Sequence, residues 1–127
     1  MKVTMESQKI PDALDYLRGQ LVASMKKGSS LVINVDGMRP DFKQEYTSEP
    51  ENFPAGLIFD HAKWQEVATY MKIVRPEENK SLLNQEGMYS MSEGFNMSIL
   101  AKYIDEEHTQ GLLEKIPHSD QFLKFIV

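Results

Sequence analysis

Three short apolar runs in this chain end in aspartate: Leu31–Val35 before Asp36, Leu57–Phe59 before Asp60, and Ser98–Ile104 before Asp105. If these runs are parallel strands, their carboxylates emerge along one edge of a sheet, where open α/β folds bind ligands. Two or three converging carboxylates suit Mg²⁺, a hard cation that prefers oxygen ligands. Such a centre would permit hydrolysis or phosphoryl transfer by charge stabilisation. The metal-ligating candidates are therefore Asp36, Asp60 and Asp105. A competing use exists for two of them. Asp60 and Asp105 each precede a helical pattern and qualify as N-caps, accepting a hydrogen bond from an early amide of the helix. Asp36 is followed by Gly37-Met38-Arg39-Pro40 and precedes no helix, so it reads as a turn residue or a ligand-facing carboxylate.

His61, beside Asp60, has an unperturbed pKa suited to general acid or base work, which makes Asp36, Asp60 and His61 the catalytic candidates. The set is incomplete, because the sequence names no nucleophile or orienting partner. His61, His108 and His118 lack the His-x-x-x-His spacing of a helical metal pair. The nucleophile signature Gly-x-Ser-x-Gly is absent, as are Gly-x-Gly-x-x-Gly and the phosphate-cradling Gly-x-x-x-x-Gly-Lys-Ser/Thr. The expectation is no bound cofactor, with Mg²⁺ as the alternative.

Composition narrows the field further. The 127 residues carry a net charge of −5 and scattered lysines, which is not the footprint of a nucleic-acid binder. The chain contains no cysteine, which rules out disulfides, thiolate nucleophiles and cysteine-ligated zinc. The N-terminal residues form no apolar signal region, and no apolar run approaches the roughly 20 residues needed to span a bilayer. The expectation is a soluble, cytoplasmic protein without nucleic-acid or membrane partners.

The elements that must position these residues follow from periodicity. Lys2–Met5 alternates and reads as an edge strand. Residues 11–27 place Leu14, Leu17, Leu21, Val22 and Met25 on one helical stripe. Pro11 suits the first turn, Lys26 and Lys27 face the negative end, and Gly28 takes a left-handed cap. Gly19 reads as a point of close helix–sheet approach. Leu31–Val35 is a buried strand, central in a parallel sheet. Residues 38–56, with three prolines and four acids against two bases, form a loop. Leu57–Phe59 is a brief strand or the packed start of a helix over 61–74, whose face carries Trp64, Val67, Ala68 and Met71. Arg75-Pro76 ends that helix, and 81–94 is a hairpin-like turn or short helix. Ser98–Ile104 is a strand with Ile99 and Leu100 buried, 106–116 a helix stopped by Pro117, and Phe122–Val127 a last strand. That final apolar run suggests a docked C-terminal strand or a chain cut from a longer protein.

Alternating strands and helices predict one α/β domain over 1–127, three-layered, with a small, mostly parallel sheet flanked by helices. Within it, Leu31-Val-Ile-Asn-Val-Asp36 resembles the acid-terminated Walker B strand of P-loop ATPases. The order of helix, strand, later strand, helix and Phe122–Val127 is similar to the second half of a AAA-type, dynein-like core. That resemblance implies that Asp36 matches the Mg²⁺-supporting acid. It implies also, since the phosphate loop, a second acid and an arginine finger are missing, a nucleotide-free relative or an assembly fragment. The function expected is a non-catalytic α/β interaction or assembly domain. Its partner, another protein or a second copy, would be recognised through the long loops at Phe42, Tyr46, Phe53, Met88, Tyr89 and Met91. The alternative is a Mg²⁺-dependent hydrolase or phosphotransferase using the strand-end aspartates.

Overall fold

The computed structural model describes residues 2–4 and 9–125, and it is an α/β fold. Strand β1 (Lys2–Thr4) leads to helix α1 (Ile10–Lys27) and then to strand β2 (Ser30–Asp36). Three single helical turns follow, α2 (Ala55–Ile58), α3 (His61–Trp64) and α4 (Val67–Tyr70), before strand β3 (Asn96–Ala101) and helix α5 (Glu106–Glu114). The sheet order is β1-β2-β3, and both pairings are parallel. The sequence-read central strand is central, and the first strand lies at an edge. Met5 and the last two residues of the expected C-terminal strand lie outside the described residues.

Helix α1 forms where its stripe requires it. Leu14, Leu17, Leu21, Val22 and Met25 are all buried. At its end Gly28 adopts φ 70°. Its N–H donates to Met25 O and the Ser29 N–H to Ser24 O, the paired bonds of a Schellman turn. A side chain at Gly28 would be excluded twice over. The left-handed backbone disfavours it, and a Cβ there would lie 2.5 Å from Glu93 O. The corner thus docks residues 92–94 against the helix end, where Ser92 N–H also donates to Met25 O. Gly19 differs from its reading: a Cβ there would meet nothing within 4 Å, so no close approach requires it.

In β2 the side chains of Leu31, Ile33 and Val35 are at most 1% exposed and sit in the main core cluster. The opposite face is less covered, with Ser30 exposed and Val32 half-buried. The core is completed by residues from the connections. Phe42, Phe53, Phe59, Trp64, Tyr70 and Ile73 join α1 and β2, with Leu112 and Ile116 from the α5 region. Edge-to-face rings at Phe42–Phe59 and Phe59–Phe122 tie three separate segments together.

Several boundaries depart from the sequence reading. Of the two readings of Leu57–Phe59, strand or helix entry, the helical one is nearer, since Leu57 falls in the separate helical turn α2. The helix expected over 61–74 is broken at Glu66, which is extended at ψ 128°. The break re-aims the chain, so Trp64, Tyr70 and Ile73 are buried while Val67 and Ala68 are exposed. A continuous helix would place Trp64 and Tyr70 on different faces. Leu100 is 49% exposed because it lies on the open face of an edge strand. Phe122–Phe125 does not form a strand, and Leu123 and Phe125 are exposed.

The two glycines of the α1 region separate cleanly in a stability test. Gly19→Ala is expected to raise stability by about 1 kcal/mol through helix propensity. Gly28→Ala is expected to lower it by about 2 kcal/mol through the left-handed backbone and the Glu93 contact. Urea unfolding of the two variants measures both.

Candidate functional site

The carboxyl end of the sheet, where the sequence placed its chemistry, is built as follows. Asp36 ends β2 at φ 50°, in the left-handed region that aspartate tolerates better than most residues. Its N–H donates to Asn34 Oδ1 at 3.2 Å, and its carbonyl accepts from Lys102 N–H at 2.8 Å. The β2–β3 register slips between Asn34 and Asp36. The carboxylate of Asp36 is exposed beside this bent exit. Asp105 instead caps α5, accepting from His108 N–H at 2.7 Å, and the His108 ring nitrogen Nε2 lies 3.0 Å from Gly37 O. A carbonyl can only accept, so that nitrogen carries the proton. Asp60 follows no strand. It caps α3 by accepting from Lys63 N–H at 3.3 Å.

Both caps are as the sequence read them. Among the described residues no group of three or more histidine, aspartate or glutamate side chains is arranged to hold a metal ion, so the three aspartates do not form one centre. Asp60 follows a helical turn instead of a strand, and two of the carboxylates are oriented by helix amides. His61 is exposed in the first turn of α3, its N–H donating to Gln121 Oε1. Sequence reasoning missed one neighbour of Asp60. His118, itself at φ 57°, places Nε2 2.9 Å from Gly56 O and 3.9 Å from Asp60 Oδ2. No spacing rule links residues 60 and 118, because only the packing of the segment after α5 on α2 joins them.

The expected partner-binding residues divide by burial. Phe42, Phe53 and Tyr89 are 0%, 1% and 6% exposed, so they are core and not surface. Tyr89 is anchored by a hydrogen bond from its hydroxyl to Val22 O at 2.7 Å, and burial, together with Tyr70 and Glu78, pushes its phenol well above the ordinary range. Tyr46 and Met91 are half-buried against the core. Met88 alone of the six is well exposed, at 59%.

Met88 belongs to a tight turn in which residues 82–88 are all exposed. The turn is organised around one hydroxyl: Ser81 Oγ accepts from the N–H groups of Leu83 and Gln85 at 3.2 and 3.1 Å. Ser81 N–H donates to Gln85 O, and Asn84 N–H to Ser81 O. Asn84 and Gly87 supply the left-handed positions at φ 61° and 73°. Asn79 closes the base, its carbonyl accepting from Gly87 N–H and its side chain from Tyr89 N–H. The result presents Leu82, Leu83 and Met88 on a braced tip.

The turn's base is fixed to α1 by Arg18. This guanidinium, 4% exposed, donates from Nη1 to Ile73 O at 3.0 Å and grips Glu78 with both nitrogens, at 2.6 and 3.2 Å. Burial opposes ionisation of Glu78. The Arg18 hydrogen bonds, the Arg75 N–H and the two guanidinium charges outweigh it and hold the carboxyl below its ordinary 4.5. Asp15 completes the network, 2.8 Å from Arg75 Nη2. A shallow groove of about 380 Å³ runs beside it, lined by Val22, Lys26, Lys27, Glu77, Glu78 and Lys80.

Together these features describe a small α/β fold with a braced apolar turn. No family model, curated protein or solved structure matches this chain. No helix among the described residues is long and apolar enough to cross a membrane.

Two outcomes test this geometry. A carboxylate whose folded pKa is depressed adds stability above its unfolded pKa and loses it as pH falls through the folded value. The Tm of the wild type is therefore expected to fall as pH drops below about 4.5, and that fall should be shallower in Glu78→Gln, which is less stable at neutral pH. At Asp36, the left-handed backbone makes Asp36→Asn nearly neutral, whereas Asp36→Val should cost about 1–2 kcal/mol in chemical denaturation.

Proposed function

We propose that this chain is a non-catalytic α/β interaction domain that recognises a partner protein through the Leu82–Met88 turn. The single observation that carries this reading is the exposure of Leu82, Leu83 and Met88, at 62%, 82% and 59%, on a turn whose backbone is internally hydrogen-bonded. Exposed leucines on a mobile loop would lose much of their binding free energy to ordering. A tip already held by Ser81, Asn79 and the Arg18–Glu78 clamp avoids that cost. Methionine adds adaptability, because its unbranched, polarizable side chain fits irregular apolar grooves. The acidic net charge and the lack of a nucleic-acid footprint favour protein over nucleic acid. The domain would work in the cytoplasm as an assembly element, as the resemblance to a nucleotide-free AAA-type fragment also implies.

A photo-crosslinking residue at position 83 of the full chain, in extract of the source cells, tests the reading. The expected result is one saturable protein adduct, competed by excess unlabelled wild-type chain and not by Leu83→Asp. Adducts that Leu83→Asp competes as well as wild type would remove the turn from recognition. The Mg²⁺-dependent alternative is read separately. A Tm increase with Mg²⁺ that disappears in Asp36→Ala would favour it over the binding-only function.

A further inference from the structure

We infer that the chain self-associates through the outer edge of β3, two copies pairing antiparallel across a two-fold axis at Ser98. This surface uses residues distinct from the Leu82–Met88 turn and goes beyond the function proposed for it.

Among the described residues β3 pairs with β2 alone, so alternate residues along its outer side direct N–H and C=O groups away from the sheet. Edge strands that stay unpaired usually carry a charge, a proline or a bulge on the edge. The six residues of β3, Asn-Met-Ser-Ile-Leu-Ala, carry none of the first two, and the register shift lies on the β2 side, at Asn34/Asp36. The burial of the strand also stops short. Its core-facing side chains Met97, Ile99 and Ala101, with Phe95 just before them, are all only partly buried and pack on the core. The equivalent residues of β2 are 0–1% exposed. The core is thus open along this edge, and a neighbouring strand of apolar side chains would close it.

A second copy fits that opening better than an unrelated strand. A two-fold axis perpendicular to the sheet keeps each face on its own side, so paired positions must sum to an even number. With the axis at Ser98, Phe95 faces Ala101 and Met97 faces Ile99 on the core side, all apolar. Asn96 faces Leu100 and Ser98 faces itself on the exposed side. The pairing sets residues 95–101 side by side, the Phe95 N–H keeping its bond to Ser92 O, and stops before the first charges. Those charges, Glu93 and Lys102, are both exposed and flank opposite ends of the strand. Only an antiparallel pair sets unlike flanks together, because Lys102 then reaches the partner's Gly94 and Glu93 flank. A parallel arrangement would set like beside like. An interface of one strand pair is small, so the dimer is expected to be weak and concentration-dependent.

Ser98 is exposed, so charge can be added at the axis without disturbing the core. Sedimentation equilibrium of the full chain, from micromolar to near-millimolar concentration, should show a reversible monomer–dimer equilibrium. Like charges directly opposite each other destabilise a strand pair. Ser98→Lys and Ser98→Asp should each weaken the dimer by up to about fivefold, with unchanged far-ultraviolet circular dichroism and Tm. Mixing the two should restore association as a heterodimer, which a merely misfolded variant cannot do. A wild type that stays monomeric throughout, or a dimer that both charged variants retain, would overturn the inference. A dimer lost in Leu83→Asp but kept in Ser98→Lys would overturn it too.

Discussion

A guanidinium taken out of water must be paired on nearly all sides, and Arg18 imposes that requirement on the structure around it. At 4% exposure it draws Ile73 O and both oxygens of Glu78 onto α1 from 55 and 60 residues away. Arg18 is buried and Glu78 partly so, and removing Glu78 would leave a buried cation short of its counter-charge. The pair is therefore a strong constraint on arrangement whatever its net contribution to stability. Both terminal nitrogens find acceptors, while Nε lacks one, with Asp15 Oδ1 4.0 Å away. The consequence runs outward. Ile73 is held at the end of the α3–α4 segment, Glu78 at the base of the exposed turn, and the turn inherits its orientation from the helix.

The parts of this fold legible in the sequence are those decided within a few residues. Helix α1 shows its stripe, its proline start and its glycine stop, and each is a local effect. The caps at Asp60 and Asp105 are equally local, since a carboxylate three residues before an amide finds it without help from elsewhere. The parallel sheet was legible from the alternation of strand and helix. What escaped was decided at long range. Phe42 and Phe53 sit in a proline-rich, acidic stretch that reads as surface, yet they are buried because the sheet face needs aromatic volume that its three strands do not supply. The break at Glu66 has no local signal of its own. It exists because Trp64 and Tyr70 both belong in the core. The Arg18–Glu78 pair and the approach of His118 to Asp60 are long-range in the same sense.

The repeated apolar-run-then-aspartate pattern shows how one sequence signal can have three physical origins. At Asp105 the acid neutralises and caps a helix start. At Asp60 it does the same for a single turn that follows another turn. At Asp36 the strand does end, but the residue's backbone is the functional feature: a left-handed φ redirects the chain while its carbonyl keeps hold of Lys102. Aspartate suits all three places because a short, polar side chain caps amides and tolerates left-handed geometry. The pattern is therefore no guide to convergence, and only the third instance leaves an exposed carboxylate at a sheet end.

A sheet of three strands has two edges and only one interior strand, and this proportion governs where recognition can lie. The one interior strand is β2, and the core is completed by residues recruited from the connections. That recruitment consumes the long loops: Phe42, Phe53 and Tyr89 become structural once they are needed inside. Under the proposed function, recognition would fall to the residues the core does not take up. On the 76–94 excursion these are Leu82, Leu83 and Met88, which the turn around Ser81 holds outward. On the sheet they are the outward backbone groups and half-buried side chains of β3, an edge that α1, β1 and the loops leave uncovered among the described residues. The same shortage of interior strands that pulls the loops inward thus leaves a strand edge facing out, the edge that the inferred second copy would cover.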